Sequence, residues 1–322
     1  MGTSKFFLLG QQNTGATTFK DYVPLSSAPS RPKPGKIRTW IDSLGIFNFL
    51  PESGPGYKTI VGSQGDLSAP GGSPRGQNAT DLQFDRSNED QVAAGDRSFI
   101  GAGRNNLVVG SDSFIAAGEE NTINESFCFA SGRNNSVAGP AAQALGTGNL
   151  VEGENANATG AYNMALAENS RAEGKNAKTY LQGQLAKSSG SFIEIGDNQY
   201  TNVILRGTTT TNVPLELLID ENIPLIIEYL KMNLFRILVV AKTDDNASGA
   251  AYELKGLVKK DSSQASTTLV GPVTKTILAE SSSAWDVNIT VDTSLGTMKI
   301  IVTGESDTTI RWAAFVEMVE VQ

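Results

Sequence analysis

A chain of 322 residues is long enough for about two domains and a sizeable core. Hydrophobic residues at 39% fit a globular protein, while only 19% charged residues and 33 glycines describe β structure with many turns. The net charge is -8, the absence of histidine excludes Ser-His and Cys-His catalysis and imidazole metal sites, and a single Cys128 excludes intrachain disulfides.

In chain order, residues 1 to 38 carry Lys5, Lys20, Arg31, Lys33, Lys36 and Arg38 against Asp21, a net of +5 that leaves -13 on the remainder. A basic arm on an acidic body predicts docking, with no particular pointer to nucleic acid. Eight of the 12 prolines fall in the first 74 residues, where fixed φ and missing N–H groups interrupt ladders. Within this region the run from Ile37 to Phe47 predicts one short helix burying Ile37, Trp40, Ile41 and Leu44, with Gly45 as its stop. Residues 1–74 are read as an attachment region, with Lys33, Lys36, Arg38 and Trp40 as its candidate contacts.

Residues 75–90 lead into an internal repeat over 91–182. Glycines stand at 132, 139, 146, 153, 160 and 174, seven apart apart from Ala167 in one slot, and upstream at 95, 103, 110 and 118. Three residues after each slot sits a small residue or Asn, from Ser98 and Asn106 to Ser170 and Ala177. Five after each slot sits an apolar residue, from Ile100 and Val108 to Ala172, with Thr179 as the one exception. A coiled coil tolerates no Gly in every heptad. Gly instead supplies turns between short strands, and two units make a coil of a parallel β-roll with the aliphatic residue inward. Because many inward residues are only Ala, one thin roll buries little area, which predicts a symmetric oligomer. Calcium loops of GGxGxD type are absent, so no metal or cofactor is expected.

Residues 183–210 read as a neck with strands at 191–196 and 202–207. From 211 the period becomes two: Val287, Ile289 and Val291, then Met298, Ile300 and Val302, then Ile310, Trp312, Ala314, Val316 and Met318 form inner faces. With runs near 223–230, 234–242, 251–258 and 268–278, residues 211–322 predict an antiparallel β-sandwich.

The repeat resembles the left-handed parallel β-roll of trimeric adhesin heads of the YadA type. The approach from Arg75 to Gln83 and from Asp90 to Gly95 looks like the lead-in of bacteriophage tail fibres that carry such rolls. The ending resembles the terminal β domain of phage tail fibres, on Ala250-Ala251-Tyr252, Val273-Thr274-Lys275-Thr276, Trp285-Asp286, Thr303-Gly304-Glu305 and Thr309-Ile310-Arg311-Trp312-Ala313-Ala314. The resemblance covers about 230 of the 322 residues. It implies an all-β homotrimer fixed to the phage tail, baseplate or an adaptor by its N-terminus. Its C-terminal domain would meet a bacterial surface glycan or outer-membrane protein by non-covalent, multivalent binding. The chain is expected to be made in the host cytoplasm and carried on the virion, without membrane insertion, since no apolar run of ~18 residues occurs.

Gly10 to Thr17 mimics a phosphate loop but carries Ala16 where Lys is needed. Paired carboxylates cut glycans without histidine, so a depolymerising tailspike is the enzymatic alternative, with Asp244-Asp245, Glu119-Glu120 and Asp307 as acidic candidates. The primary expectation is nevertheless a chain that is not an enzyme, and a structural virion spacer is a third reading. Loops at the end of a sandwich concentrate binding residues, so Asp244, Asp245, Asn246, Lys260, Asp261, Gln264 and Trp285 are the candidates for host contact.

Overall fold

The computed structural model describes residues 73–322 apart from Phe84 and Glu221, and four short strands within residues 1–72. The described chain is all-β, with a parallel β-solenoid of about six turns and no α-helix. It divides into two compact units, Met1–Thr147 and Gly148–Gln322.

The first unit begins with an antiparallel four-stranded sheet, Phe7–Leu8, Arg38–Ile41, Phe47–Leu50 and Lys58–Ile60, each paired with the next. The helix expected over 37–47 is therefore corrected: Arg38 and Trp40 lie on a strand. Thr39 and Ile41 are β-branched and the partner strand alternates Phe47, Asn48, Phe49, a period of two that outweighs the 3.6-residue spacing. Lys33 and Lys36 lie outside the described residues.

The solenoid in this unit stacks one ladder through Thr80, Phe99, Phe114, Phe129 and Gln143 and a second through Leu107, Thr122 and Ser136. The rise from one rung to the next is 15 residues where the glycine steps are eight and seven, and 14 where both are seven. The lead-in is also a rung, since Thr80–Asp81 pairs with Phe99–Ile100, but across a longer step of 19 residues. Inward stand Ile100, Ile115, Ala130 and Ala144 on one side and Val108, Ile123 and Val137 on the other, all fully buried. The small-or-Asn position separates into two corners. At one, the Asn121 amide donates to the Asn106 carbonyl oxygen at 2.9 Å and Asn135 donates to Asn121 at 2.8 Å, a side-chain ladder running alongside the backbone one. At the other, Ser113 and Cys128 turn Oγ and Sγ onto backbone carbonyls. Gly132 is required for two reasons: its φ is +114°, and a Cβ there would overlap the carbonyl oxygen of Gly146 on the next turn.

The second unit opens with turns of the same pattern, through Asn157, Arg171 and Leu185 and through Leu150, Met164 and Lys178. The parallel ladder continues to Leu185–Ser189, which then pairs antiparallel with β1 (Asn198–Thr209). The strand expected at 191–196 is a turn instead: the backbone N–H groups of Phe192, Ile193 and Glu194 all donate to the Asp197 carboxylate. Beyond it lie β2 (Leu215–Glu216), β3 (Lys231–Thr243), β4 (Gly249–Lys260), β5 (Thr268–Leu269), β6 (Thr274–Glu280), β7 (Asp286–Asp292), β8 (Thr297–Thr303) and β9 (Ile310–Val321). A long antiparallel sheet runs β1-β9-β3-β4, with β5 and β6 both on β4. A second sheet runs β2-β8-β7. The expected run at 223–230 forms no strand, though Leu225 and Ile227 are buried.

The inner residues of both sheets share one core with Trp285, Trp312, Phe235 and Tyr252. The Trp312 indole N–H is satisfied by Thr209 Oγ1 at 2.9 Å and the Tyr252 hydroxyl by Glu280 at 3.0 Å, as buried polar tips require.

Candidate functional site

The solenoid's last turns and the long sheet are joined by a buried polar cluster. Glu320 on β9 is fully buried and accepts from Lys231 Nζ at 2.6 Å, Thr201 Oγ1 at 2.5 Å, Tyr180 OH at 3.1 Å and Gln199 Nε2 at 3.1 Å. Lys231 also reaches Glu228 at 2.7 Å, and Glu228 in turn accepts from Lys178 at 2.7 Å. Burial pulls the Lys231 ammonium down, yet the two carboxylates raise it above the ordinary lysine value. Burial pushes Glu228 up, and Lys231 and Lys178 bring it below the ordinary glutamate value. Every charge is paired, so the cluster acts as a rigid joint.

Beside this joint an open cleft of about 310 Å³ is lined by Asn169 and Gln182 from the solenoid turns and by Asn202, Ile204, Arg206 and Asp220 from β1 and the segment after it. Arg206 donates to Asp220 at 2.6 Å, and both remain substantially exposed. Planar amides, a guanidinium and a carboxylate around an apolar Ile204 can exchange several hydrogen bonds with a hydroxyl-rich ligand while covering its apolar face. Sequence reasoning missed this site, because its residues come from four separated segments and none stands out in composition.

The predicted contact residues do not converge. Asp244, Asp245 and Asn246 form the exposed β3–β4 turn, where Asp244 pairs with Arg311 at 3.0 Å and Asn246 adopts φ +58°. The Asp245 carboxylate accepts from Thr243 Oγ1 and the Ala247 N–H, which holds it below the usual value. Asp261 and Gln264 are also exposed but stand beyond the opposite end of β4. Twelve residues of strand place the two groups roughly 37 Å apart at ~3.4 Å per residue. Lys260 and Trp285 are buried and are corrected as surface contacts. Lys260 donates to the Ile227 carbonyl at 2.7 Å and lies 4.0 Å from the Tyr229 ring centroid, with burial lowering its pKa. Trp285 packs on Trp312 with ring centroids 5.9 Å apart.

In the first unit Phe99, Phe114 and Phe129 stack with centroids 4.9 and 5.5 Å apart. Their faces cover one another, so the row presents ring edges and does not suit stacking on a sugar.

The fold is thus an all-β chain built on a parallel solenoid, and solved phage proteins share a likeness with it. It is similar to the tailspike protein gp49 of Acinetobacter baumannii bacteriophage Fri1, a capsular polysaccharide depolymerase, at 11% identity and a TM-score of 0.26, over 75% of this chain and 44% of that one. It is also similar to the tailspike of Acinetobacter baumannii phage AM24, at 12% identity and a TM-score of 0.22, over 76% of this chain and 54% of that one. A third is the tailspike of Acinetobacter phage vB_ApiP_P1, at 11% identity and a TM-score of 0.20, over 78% and 54% respectively. The chain spans about half the length of these proteins. No family model matches the chain, and no curated protein does. The expectation that the chain is not an enzyme is corrected here, because a depolymerase stands among the similar structures and carboxylates cleave glycans without histidine. Among the described residues no helix is long and apolar enough to cross a membrane.

Proposed function

We propose that this chain is a phage tail protein that engages bacterial surface polysaccharide, working as a homotrimer whose N-terminal region attaches to the tail or an adaptor. The observation that carries the reading is the cleft beside the joint, where Asn169, Gln182, Asn202, Arg206 and Asp220 surround Ile204. That lining matches a sugar's alternation of hydroxyl edges and apolar faces. The solenoid, proposed as a left-handed roll of YadA type, and the C-terminal sheets, proposed as a sandwich, form the support, and three copies add weak contacts through effective concentration. The exposed candidates Asp244, Asp245, Asn246, Asp261 and Gln264 are secondary contacts in this reading.

A second reading, cleavage of the bound glycan, is favoured by the Asp220 carboxylate at the cleft. One experiment separates the two. Purified protein is titrated against capsular polysaccharide of its host, with binding and reducing-end release followed together. Binding without release, weakened at least ten-fold by Arg206→Ala, supports attachment. Release that is lost in Asp220→Asn with binding retained supports depolymerisation. No binding at all favours a structural spacer and overturns both.

A further inference from the structure

The outer face of the long sheet carries a pattern that a solvated face does not. Antiparallel sheets with one wet side alternate apolar and polar residues. In β3 the inward set Phe235, Ile237, Val239 and Ala241 is apolar, but so is most of the outward set, Met232, Leu234, Leu238 and Val240. The registers assemble these into cross-strand rows. Tyr200, Val319, Leu234 and Leu257 stand side by side, and so do Ile204, Phe315 and Leu238. Ile204, Met232, Leu234, Val240, Val319 and Val321 are 42% to 62% exposed.

Between the two apolar rows lies one charged belt. Arg236 pairs with Glu253 at 2.7 Å and Glu317 at 3.5 Å, Lys255 reaches Glu253 at 3.1 Å, and the Tyr200 hydroxyl donates to Glu317 at 2.8 Å. Two acids and two bases leave the belt neutral. Arg206, Lys259 and Arg311, outward on the same strands, are paired in turn with Asp220, Asp261 and Asp244 from the flanking segments, and Lys242 adds one further positive charge. The central belt, which holds both signs in equal number, is complementary to a copy of itself. Four strands at ~4.8 Å spacing and about twelve residues at ~3.3 Å rise cover roughly 750 Å². A standard stable interface takes ~800 Å² per partner.

We propose that copies of this chain meet through this face, the apolar rows forming a shared core and the Arg236 belt fixing their register. The number of copies, three, rests on the fibre reading above; the face itself does not. The β1 margin is shared: Ile204 stands in the apolar row and also lines the cleft, so the cleft borders the proposed contact.

The test uses the full chain at micromolar concentration, with native mass by light scattering and polysaccharide binding measured on the same samples. Wild type is expected at about three times 34.1 kDa. The double variant Leu234→Glu/Val240→Glu is expected at the single-chain mass with its Trp emission unchanged, because both side chains point away from the core. Val319→Lys, on the neighbouring strand, is expected to do the same. A monomeric wild type that still binds polysaccharide overturns the interface and leaves the attachment reading standing. Variants that keep the assembled mass overturn it as well. Assembly that dissociates in the variants, in a protein that never binds polysaccharide, upholds the interface and counts against attachment.

Discussion

Replacing Glu320 by Gln tests the joint between the solenoid turns and the long sheet. The substitution keeps side-chain shape and leaves the hydrogen bonds from Thr201, Tyr180 and Gln199 partly replaceable, but removes the charge 2.6 Å from Lys231 Nζ. Breaking a buried pair by deleting one partner costs about 3–5 kcal/mol, since the other charge stays buried. Lys231 retains Glu228 at 2.7 Å, so a loss near the lower end, about 3 kcal/mol, is expected. The assay is urea unfolding at fixed protein concentration followed by Trp emission, since Trp285 and Trp312 lie in the core of this unit. The double variant Lys231→Met/Glu320→Gln removes both charges and is expected to recover at least 1 kcal/mol relative to the sum of the single variants. The pH dependence has a definite sign. Lys231, raised in the fold, contributes stability that is complete below its unfolded value and lost as pH climbs through the raised one. Glu228, lowered in the fold, contributes stability above its unfolded value, lost as pH falls through the lowered one. Wild type is expected to hold this contribution across neutral pH and lose it at both extremes, and Glu320→Gln to lose most of the alkaline limb. A Glu320→Gln protein within about 0.5 kcal/mol of wild type, or single effects that simply add, would refute the reasoning.

Three further outcomes follow from the packing. Gly132→Ala forces a Cβ into the neighbouring turn at a positive φ and is expected to destabilise the first unit by about 2 kcal/mol or more, read as earlier loss of β-sheet circular dichroism on heating. Ile115→Ala, which empties a fully buried slot on the solenoid axis, is expected to cost about 2–5 kcal/mol by the same measurement. Asn233→Leu is expected to stabilise by about 1–2 kcal/mol in urea, because neither the nitrogen nor the oxygen of the fully buried Asn233 amide has a hydrogen-bond partner among the described residues.

The solenoid was legible because its constraint is local and repeats. Every rung needs a turn glycine, a small corner and an inward aliphatic, so twelve weak statements reinforce one another. What the repeat did not reveal is that the small-or-Asn position is two different corners. Asn106, Asn121 and Asn135 donate to one another only because rungs stack 14 or 15 residues apart, and that is a pairing property. The long strand β9 was legible from its alternation, and Trp312 lies in the core as that pattern required. Trp285 was misread because three serines precede it. The backbone turns there, Trp285 N–H donating to the Ser282 carbonyl, and folds the indole back onto Trp312. Lys260 was misread because charge normally marks a loop. Here the stem ends a strand and the ammonium satisfies the Ile227 carbonyl.

The same distinction explains why the fold was read further than the site. Periodicity fixes which face of a strand is apolar, but a binding surface depends on which segments the fold brings together. Asp244 to Asn246 and Asp261 to Gln264 are all loop residues, and twelve residues of β4 hold the two groups apart. The cleft assembles Asn169, Gln182, Asn202 and Asp220, which no sequence window contains. Conversely, the apolar outward row of β3 was in the sequence throughout, as Met232, Leu234, Leu238 and Val240. Its meaning depends on knowing that the other side of that strand is already buried against β7 and β8 residues of the same core. A strand with both faces apolar and only one covered by the described residues calls for a second cover, and that becomes visible only once the first is known.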